Sequence, residues 1–275
     1  MRIAVASGKG GTGKTLVSVN LSAAAGLDLA DLDVEEPNAF LYFGEGPTTT
    51  VPASRPIPSI DAERCDLCGE CARVCAFNAL VRLPQRIMVH VELCHGCGAC
   101  VRLCPRNAIR EVDHEMGSLI STAVGDRRLI YGRLNVGEAN AVPLIGAVRS
   151  SLAPGRAAIM DCPPGTSCNM VEAVKGSDYA IMVTEPTPFG VHDLTMAMDV
   201  LERLGVPHGV VINKAGMGGA DIEGICRSRG VSVLGSIPFS RDIAQRHAQG
   251  LSLIDRPEDR RTFLDLWEAV MREAS

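Results

Sequence analysis

The sequence predicts an α/β protein: a parallel sheet with helices on both faces, interrupted by a small inserted α+β unit rich in cysteine. Three observations support this class. Short β-like apolar runs alternate with helical stretches over most of the chain, which is typical of a parallel sheet. A glycine-rich loop separates the first run from the first helix. A block holding eight of the 11 cysteines breaks the alternation between residues 61 and 115.

The elements follow from local patterns. Predicted strands are Arg2–Ala6, Leu27–Leu32, Ala157–Met160, Tyr179–Thr184, Gly209–Ile212 and Val233–Ile237, and predicted helices include Lys14–Ala25 and Arg260–Ala274. Residues 41–60, rich in proline and glycine, are predicted to be a connector. Strand and helix alternation resumes at about residue 117. We therefore assign residues 1–57 and 117–275 to one domain and residues 58–116 to the insertion.

Composition narrows the function classes. The chain of 275 residues is long enough for one large domain or two modest ones. Its net charge of −5 argues against a nucleic-acid partner, since sequence-independent binding needs a basic surface. The first residues lack the pattern of a signal peptide, and no run of about 18 apolar residues occurs. We expect a cytoplasmic protein without stable membrane association, whose cysteines are reduced or metal-bound.

The cysteine block is an internal repeat. The spacing C-x2-C-x2-C-x3-C begins once at Cys65 and again at Cys94. Bacterial ferredoxins use this run for [4Fe–4S] clusters, because three closely spaced thiolates can hold three corners of a cubane. Zinc with four cysteines per ion is the alternative. Zinc binding does not explain why the same run, three closely spaced cysteines and then a fourth, occurs twice. Two [4Fe–4S] clusters are therefore the favoured interpretation.

The block resembles a bacterial-type two-cluster ferredoxin, which implies a ligand exchange between the two runs. In that family the fourth cysteine of each run binds the other cluster. One cluster would then take Cys65, Cys68, Cys71 and Cys104, and the other would take Cys94, Cys97, Cys100 and Cys75. Cys75 is followed by Ala76 where Cys104 is followed by the usual proline, a departure that removes no ligand.

The glycine-rich loop predicts phosphate binding. Its residues satisfy the P-loop pattern G-x4-G-K-[ST] and read Gly8, Lys9, Gly10, Gly11, Thr12, Gly13, Lys14 and Thr15. The loop follows a predicted strand and opens a helix, which is the context that the motif requires. Its backbone N–H groups would bind phosphates. Lys14 would reach the β- and γ-phosphates of ATP, and the Thr15 hydroxyl would bind Mg²⁺.

The second lysine of the loop sharpens the assignment. With Lys9, the motif resembles the deviant P-loop of the MinD/ParA/Mrp family, which includes the nitrogenase iron protein. In that family this lysine reaches the phosphates of the partner subunit. The resemblance therefore implies that Lys9 acts in an ATP-dependent homodimer.

Other stretches resemble further motifs of the same family. Residues 31–38 resemble its switch I, residues 159–165 its Walker B and switch II, and residues 184–193 its turn from strand to helix. The roles that the resemblance implies are Mg²⁺ binding through water for Asp161, approach to the γ-phosphate for Gly165, contact with adenine for Asn213 and packing beside the base for Pro238.

Hydrolysis of ATP requires positioning and neutralisation of charge more than covalent chemistry. Lys14, Mg²⁺ and the Lys9 of a second subunit would supply the positive charge. Asp33 is the candidate for orienting or activating the water, and Asp31 is the alternative, because either acid could face the site.

Three cysteines lie outside the repeat: Cys162, Cys168 and Cys226. Cys168 follows Asp161 at the spacing of a cluster ligand in the nitrogenase iron protein. The second cysteine that a bridging cluster would need is missing from residues 131–138. A redox-sensitive thiol and simple packing both stay open for Cys168.

The whole pattern resembles MinD-like ATPases that contain an inserted ferredoxin domain, often labelled cobyrinic acid a,c-diamide synthase. It implies an ATPase that couples nucleotide-driven dimer rearrangement to electron transfer, or to metallocluster assembly and transfer, with a redox or metallocluster partner protein. One alternative is a ParA/MinD-type positioning ATPase with structural clusters, against which the acidic charge argues. Another is an amide-forming enzyme, for whose ammonia-supplying domain we expect no room.

Overall fold

A computed structural model describes residues 1–274, and its strands and helices alternate along most of the chain. The strands are β1 (Arg2–Ala6), β2 (Asp28–Asp31), β3 (Thr48–Ile60), β4 (Leu80–Arg82), β5 (Ile87–Val89), β6 (Ile109–Val124), β7 (Arg127–Leu134), β8 (Ala158–Asp161), β9 (Tyr179–Thr184), β10 (His208–Ala215) and β11 (Val233–Pro238). The α-helices are α1 (Lys14–Ala25), α2 (Glu70–Val74), α3 (Ala99–Arg102), α4 (Val142–Ser150), α5 (Cys168–Val174), α6 (Pro188–Leu204), α7 (Ile222–Arg229), α8 (Arg241–Ala248) and α9 (Pro257–Glu273). Short 3₁₀ turns occur at Ala39–Tyr42 and Val91–Leu93.

One large sheet organises the molecule. Over residues 1–274 it contains nine strands in the order β11-β10-β9-β1-β8-β2-β7-β6-β3. The strands from β11 to β7 are parallel, whereas β6 and β3 complete the sheet in antiparallel pairs. In parallel strands that neighbour each other, the carboxyl ends meet at one edge, and that edge is where open α/β sheets bind ligands.

Helices cover both faces of the sheet, as the sequence predicted. Alternate residues of β1 point to opposite faces, so that Ile3 and Val5 join one core while Ala4 and Ala6 join the other. Helices α1, α8 and α9 pack on the first face, and α4 to α7 pack on the second. Two-sided burial explains why the central strands read as continuous apolar runs. The predicted α/β class is confirmed.

The segment before the cysteine block departs from the prediction. Residues 41–60 were expected to be a connector, but Thr48–Ile60 forms the 13-residue strand β3. Its prolines, at positions 52, 56 and 58, lack the N–H that a central strand must donate. They are tolerated here because β3 is an edge strand, paired only with β6 within the described chain. The alternation expected from residue 117 is likewise replaced at first by the hairpin of β6 and β7.

The cysteine-rich segment folds as two similar halves. Gly69 and Gly98 stand before α2 and α3 with positive φ, and Asn78 and Asn107 adopt positive φ at matching places after them. Between the halves, β4 and β5 form a separate antiparallel pair. A core of its own, which includes Leu80, Ile87 and Ile109, joins the halves. The sequence repeat is therefore also a repeat of backbone conformation.

The last helix packs on the protein. Phe263, Leu266 and Val270 of α9 are buried in the same core as α1. Among the helices of residues 1–274, none is long and apolar enough to cross a membrane. The helix begins three residues earlier than predicted because Pro257 stands in its first turn, a position that suits proline.

Candidate functional site

The glycine loop connects β1 to α1 at the carboxyl edge of the sheet. Gly13 has a φ of 96°, and a Cβ there would lie 2.1 Å from Nδ2 of Asn213. The same Asn213 amide donates to the Thr12 carbonyl at 2.8 Å. On its other side the loop is held by Gly165, whose N–H donates to the Ser7 carbonyl at 3.0 Å. Two loops far apart in sequence therefore fix this one.

Two aspartates lie side by side below the loop. Strands β2 and β8 are paired so that Asp31 is opposite Asp161. Asp161 accepts hydrogen bonds from the hydroxyl groups of Thr15 and Ser18. Burial raises the pKa of Asp161, and these bonds oppose the rise. Burial also raises the pKa of Asp31, as does the charge of Asp161.

A third carboxylate and a buried lysine complete this cluster. Burial and the charge of Asp31 raise the pKa of Asp33 to about 6, although the charge of Lys14 opposes the rise. Burial lowers the pKa of Lys14, whereas Asp161 and Asp33 raise it. Three acids thus share one lysine, so the cluster favours an additional cation.

The second lysine of the loop is held away from this cluster. Lys9 Nζ is 2.6 Å from Oε1 of Glu185, and Lys214 Nζ is 2.9 Å from Oε2 of the same residue. Lys214 also donates to the Gly11 carbonyl at 2.8 Å. Burial alone would raise the pKa of Glu185, but hydrogen bonds from Lys214 and Lys9 lower it overall. Glu185 therefore stays ionised between two lysines.

An open cleft with a volume of about 460 Å³ lies above the loop. The predicted residues that line it are Gly10, Gly11, Gly13, Lys14, Thr15, Asp33, Asn213 and Pro238. Phe239, Ile243 and His247 add an apolar end. Five other predicted residues do not line the cleft: Gly8, Lys9 and Thr12 belong to the loop itself, and Asp161 and Gly165 lie beside it.

Some contacts in the cleft were not expected from the sequence. The Asn213 side chain is already engaged, because it also accepts from the Lys214 N–H at 2.9 Å. Contact with a base would require these bonds to exchange. Tyr42 stacks on His247 with ring centroids 4.7 Å apart and donates to its carbonyl at 2.8 Å. Glu185 lies in the quoted strand-to-helix turn, but no pattern there signalled its lysine partners.

The eight repeat cysteines line two separate cavities. The first is lined by Cys65, Cys68, Cys71 and Cys104, and the second is lined by Cys75, Cys94, Cys97 and Cys100. Each cavity therefore takes three cysteines from one half and the fourth from the other. Backbone N–H groups approach the sulfurs at matching places, from Ala79 to Cys75 and from Ala108 to Cys104, both at 3.3 Å.

Neither cavity has the close convergence of a formed metal centre. Within residues 1–274, no group of three or more His, Cys, Asp or Glu side chains is arranged to hold a metal ion. The cysteines are grouped in two sets of four only because they line the same two cavities. All eleven cysteines are free thiols, of which Cys162 and Cys226 are buried in a core and Cys168 is exposed at the start of α5.

Comparison with known proteins agrees with this geometry. Residues 3–254 match the family model of the CobQ/CobB/MinD/ParA nucleotide binding domain. The chain belongs to this family of P-loop nucleotide-binding proteins. A MinD from Pyrococcus horikoshii, solved in complex with Mg-ADP, superimposes with a TM-score of 0.62 at 21% identity, covering 98% of this chain and 95% of that one.

Two relatives extend the comparison. An uncharacterized protein of Methanocaldococcus jannaschii is 33% identical over 262 residues, covering 93% of this chain and 90% of its own length. The iron-sulfur cluster carrier protein of Pyrococcus furiosus is 26% identical over 278 residues, covering 92% of this chain and 78% of its own length.

Proposed function

We propose that this chain is an ATP-binding and ATP-hydrolysing iron–sulfur protein. In it, nucleotide-driven rearrangement of a homodimer is coupled to electron transfer or to assembly and transfer of a metallocluster. One observation carries the proposal: the same chain has a P-loop cleft and two cavities, each of which is lined by four cysteines. We assign residues 1–57 and 117–275 to the ATPase domain and residues 58–116 to an inserted ferredoxin-like domain.

The cleft suits ATP in both charge and shape. Gly10, Gly11 and Gly13 expose loop backbone at the start of α1, where N–H groups and the helix dipole favour phosphate. Lys14 adds a positive charge beside them. The apolar end near Pro238 and Phe239 suits the flat face of a purine.

The acid cluster supports Mg²⁺ binding. Thr15 would bind the ion directly and Asp161 through water, since their side chains already form one hydrogen-bonded group. Burial raises the pKa values of Asp31 and Asp33, and the charge of a neighbouring aspartate adds to the rise in each. Oxygen-rich sites of this kind favour Mg²⁺. The ion would supply neutralisation of the β- and γ-phosphate oxygens.

Asp33 is the better candidate for orienting the attacking water. It lines the cleft, and its pKa of about 6 allows it to accept a proton near neutral pH. The carboxylate of Asp31 instead accepts the N–H groups of Asp33, Asn38 and Ala39 at 2.9–3.1 Å. We therefore assign Asp31 to shaping the loop and Asp33 to the water.

Dimerisation would require Lys9 to change partner. In the single chain its amine is bound to Glu185 and so cannot at the same time reach the phosphates of a second subunit. We propose that ATP binding in a facing subunit draws Lys9 from Glu185, whose charge would then be balanced by Lys214 alone. The dimer would thus exchange one ion pair for another.

The cysteine cavities suit two [4Fe–4S] clusters. Each would be held by the four cysteines that line it, and N–H groups directed at thiolate sulfurs are typical of such sites. A bound cluster would supply one-electron acceptance and release at this place. Resemblance to an iron-sulfur cluster carrier protein supports the transfer of a metallocluster as an output beside electron transfer.

Anaerobic preparation followed by a nucleotide titration tests the proposal. About eight irons and eight sulfides per chain are expected for two [4Fe–4S] clusters. Adding a non-hydrolysable ATP analogue with Mg²⁺ should double the apparent mass in light scattering and shift the midpoint potential of at least one cluster. Zinc in place of iron, or clusters whose potential and transfer rate to an apo-acceptor ignore ATP, would contradict the proposal.

A further inference from the structure

A buried arginine joins the cysteine segment to the nucleotide-binding part. Arg55 lies on β3 and is only 2% exposed. Its Nη1 donates to the Cys94 carbonyl at 2.7 Å, and its Nη2 donates to the Val91 carbonyl at 2.9 Å. Nη2 also pairs with Oε2 of Glu138 at 2.9 Å. One guanidinium therefore binds a cysteine of the second set and a carboxylate in the loop after β7.

Glu138 is held from its other side by a second basic group. Nε2 of His114, on β6, lies 2.5 Å from Oε1 of Glu138. Burial alone would raise the pKa of Glu138, but the bonds from His114 and Arg55 lower it, so the carboxylate stays ionised. A buried ion pair of this kind is strongly disfavoured when one partner is removed or moved. Motion of the Glu138 loop therefore has to be followed by Arg55.

The Glu138 loop is connected to the nucleotide site by backbone hydrogen bonds. Val34, the residue after Asp33, accepts from the Leu134 N–H at 2.9 Å at the end of β7. Glu138 donates from its own N–H to the Asn135 carbonyl at 3.2 Å. Val34 is itself buried against α4, so the Asp33 loop cannot shift without displacing the end of β7.

Within residues 1–274, the first cysteine set has no comparable connection to the nucleotide site. Its nearby ion pair, between Arg106 and Asp66, lies within the cysteine segment and is exposed, with 62% and 37% of the side chains accessible. An exposed ion pair of this kind contributes little to stability, so it does not firmly connect the elements that carry its two partners. The two cavities are therefore unequal in their coupling to the nucleotide site.

We propose that Arg55 and Glu138 are positioning residues that transmit the nucleotide state of the Asp33 loop to the second cysteine set, which contains Cys94. The inference rests on the function proposed above and adds which of the two cavities responds. The second set changes its environment when nucleotide binds, and the first set changes little. Arg55 would displace the Cys94 backbone through the hydrogen bond between them, and no covalent bond is made or broken.

Hydrogen exchange on the anaerobically loaded protein tests the inference. The probe is Mg²⁺ with adenosine 5′-(β,γ-imido)triphosphate, and the segments compared are 91–98 and 64–71. In the wild type we expect a change of exchange rate of about threefold or more at 91–98 on adding the analogue, and a smaller change at 64–71. Loss of iron signal is followed separately by absorption.

The variants are Arg55→Lys and Glu138→Gln, with Arg149→Lys as the matched control. Arg149 also binds backbone carbonyls and a carboxylate, Glu172, but it joins α4 to α5 and does not touch the cysteine segment. Arg55→Lys and Glu138→Gln should each abolish the change at 91–98 while keeping the change at the P-loop. If Arg55→Lys does not fold, Glu138→Gln alone decides.

The outcomes separate this inference from the proposed function. A nucleotide-dependent change at 91–98 that persists in both variants would overturn the role of Arg55 and Glu138 while leaving the coupling intact. Equal changes at both segments in the wild type would overturn the asymmetry. Failure of the wild type to bind the analogue at all would instead overturn the proposed function.

Discussion

The nucleotide cleft and the cysteine cavities are built in opposite ways. The cleft brings together Lys14, Asp33, Asn213 and Pro238 from four separate strand ends, so its geometry depends on the register of the whole sheet. Each cavity is lined by cysteines from two short runs within a single segment of about forty residues. Local spacing is therefore informative about the cavities, whereas only topology can assemble the cleft. Substitutions can test this difference directly.

The largest effect should come from Lys14→Ala. Removing this buried charge leaves the phosphates and three acids without their positive partner, so ATP hydrolysis should fall at least about 100-fold. Lys175→Ala is the matched control, because that lysine is exposed and does not line the cleft. The measurement is phosphate release with saturating Mg-ATP, and unchanged turnover in Lys14→Ala would refute the P-loop assignment.

Substituting any one of the eight cysteines should remove one of the two clusters and so half of the iron. The two cavities predict which substitutions remove the same cluster. Cys75→Ser and Cys94→Ser should remove the same cluster, since both residues line the second cavity although they lie in different repeats. Cys65→Ser should remove the other. Electron paramagnetic resonance of the reduced proteins distinguishes the two signals. If Cys75→Ser matched Cys65→Ser instead, each cluster would take all four ligands from its own run.

Lys9→Ala and Glu185→Gln should change dimerisation in opposite directions. Lys9→Ala should keep nucleotide binding and lose the ATP-induced dimer. Glu185→Gln weakens the hold on Lys9 and should lower the analogue concentration needed for half-maximal dimerisation by about threefold, since one hydrogen bond to a charged group is relaxed. Light scattering across an analogue titration reads both. A Glu185→Gln protein that dimerises less readily would show that Glu185 supports the interface instead.

Asp33→Asn should have the smallest of these effects, a change in thermal stability that depends on pH. The pKa of Asp33 is raised from 3.8 to about 6, so the folded state favours its protonated form and loses stability as pH rises through about 6. The amide removes that loss. Without nucleotide, the variant should melt about 2–4 °C higher than the wild type at pH 7.5 and differ less at pH 5. A lower Tm at pH 7.5 would mean that the carboxylate is stabilising.

Much of the fold could be predicted from sequence because its elements carry strong local signals. The bounds of β1, α1 and β9 coincide with the predicted ones. The strand β3 was missed because its prolines indicate a connector unless the chain is known to lie at a sheet edge. An edge position is a property of topology, which no local pattern reports.

The same limit applies to the sites. The proposed ligand sets of the cavities came from the ferredoxin resemblance, because spacing alone does not say which fourth cysteine joins each run of three. Glu185, Arg55 and Glu138 carry no motif, and their partners are distant in sequence: 176 residues separate Lys9 from Glu185, and 83 separate Arg55 from Glu138. Ion pairs between residues so distant in sequence can be identified only once the order of the strands in the sheet is known.

The most direct test of the central claim is a redox titration of the anaerobic protein with and without the imido analogue of ATP and Mg²⁺. The coupling proposed here predicts that the analogue shifts the midpoint potential of one cluster, that Cys75→Ser and Cys94→Ser both abolish the shifted signal, and that Lys14→Ala prevents the shift. Two clusters with potentials that stay the same under saturating analogue, in a protein that binds it and dimerises, would contradict the coupling.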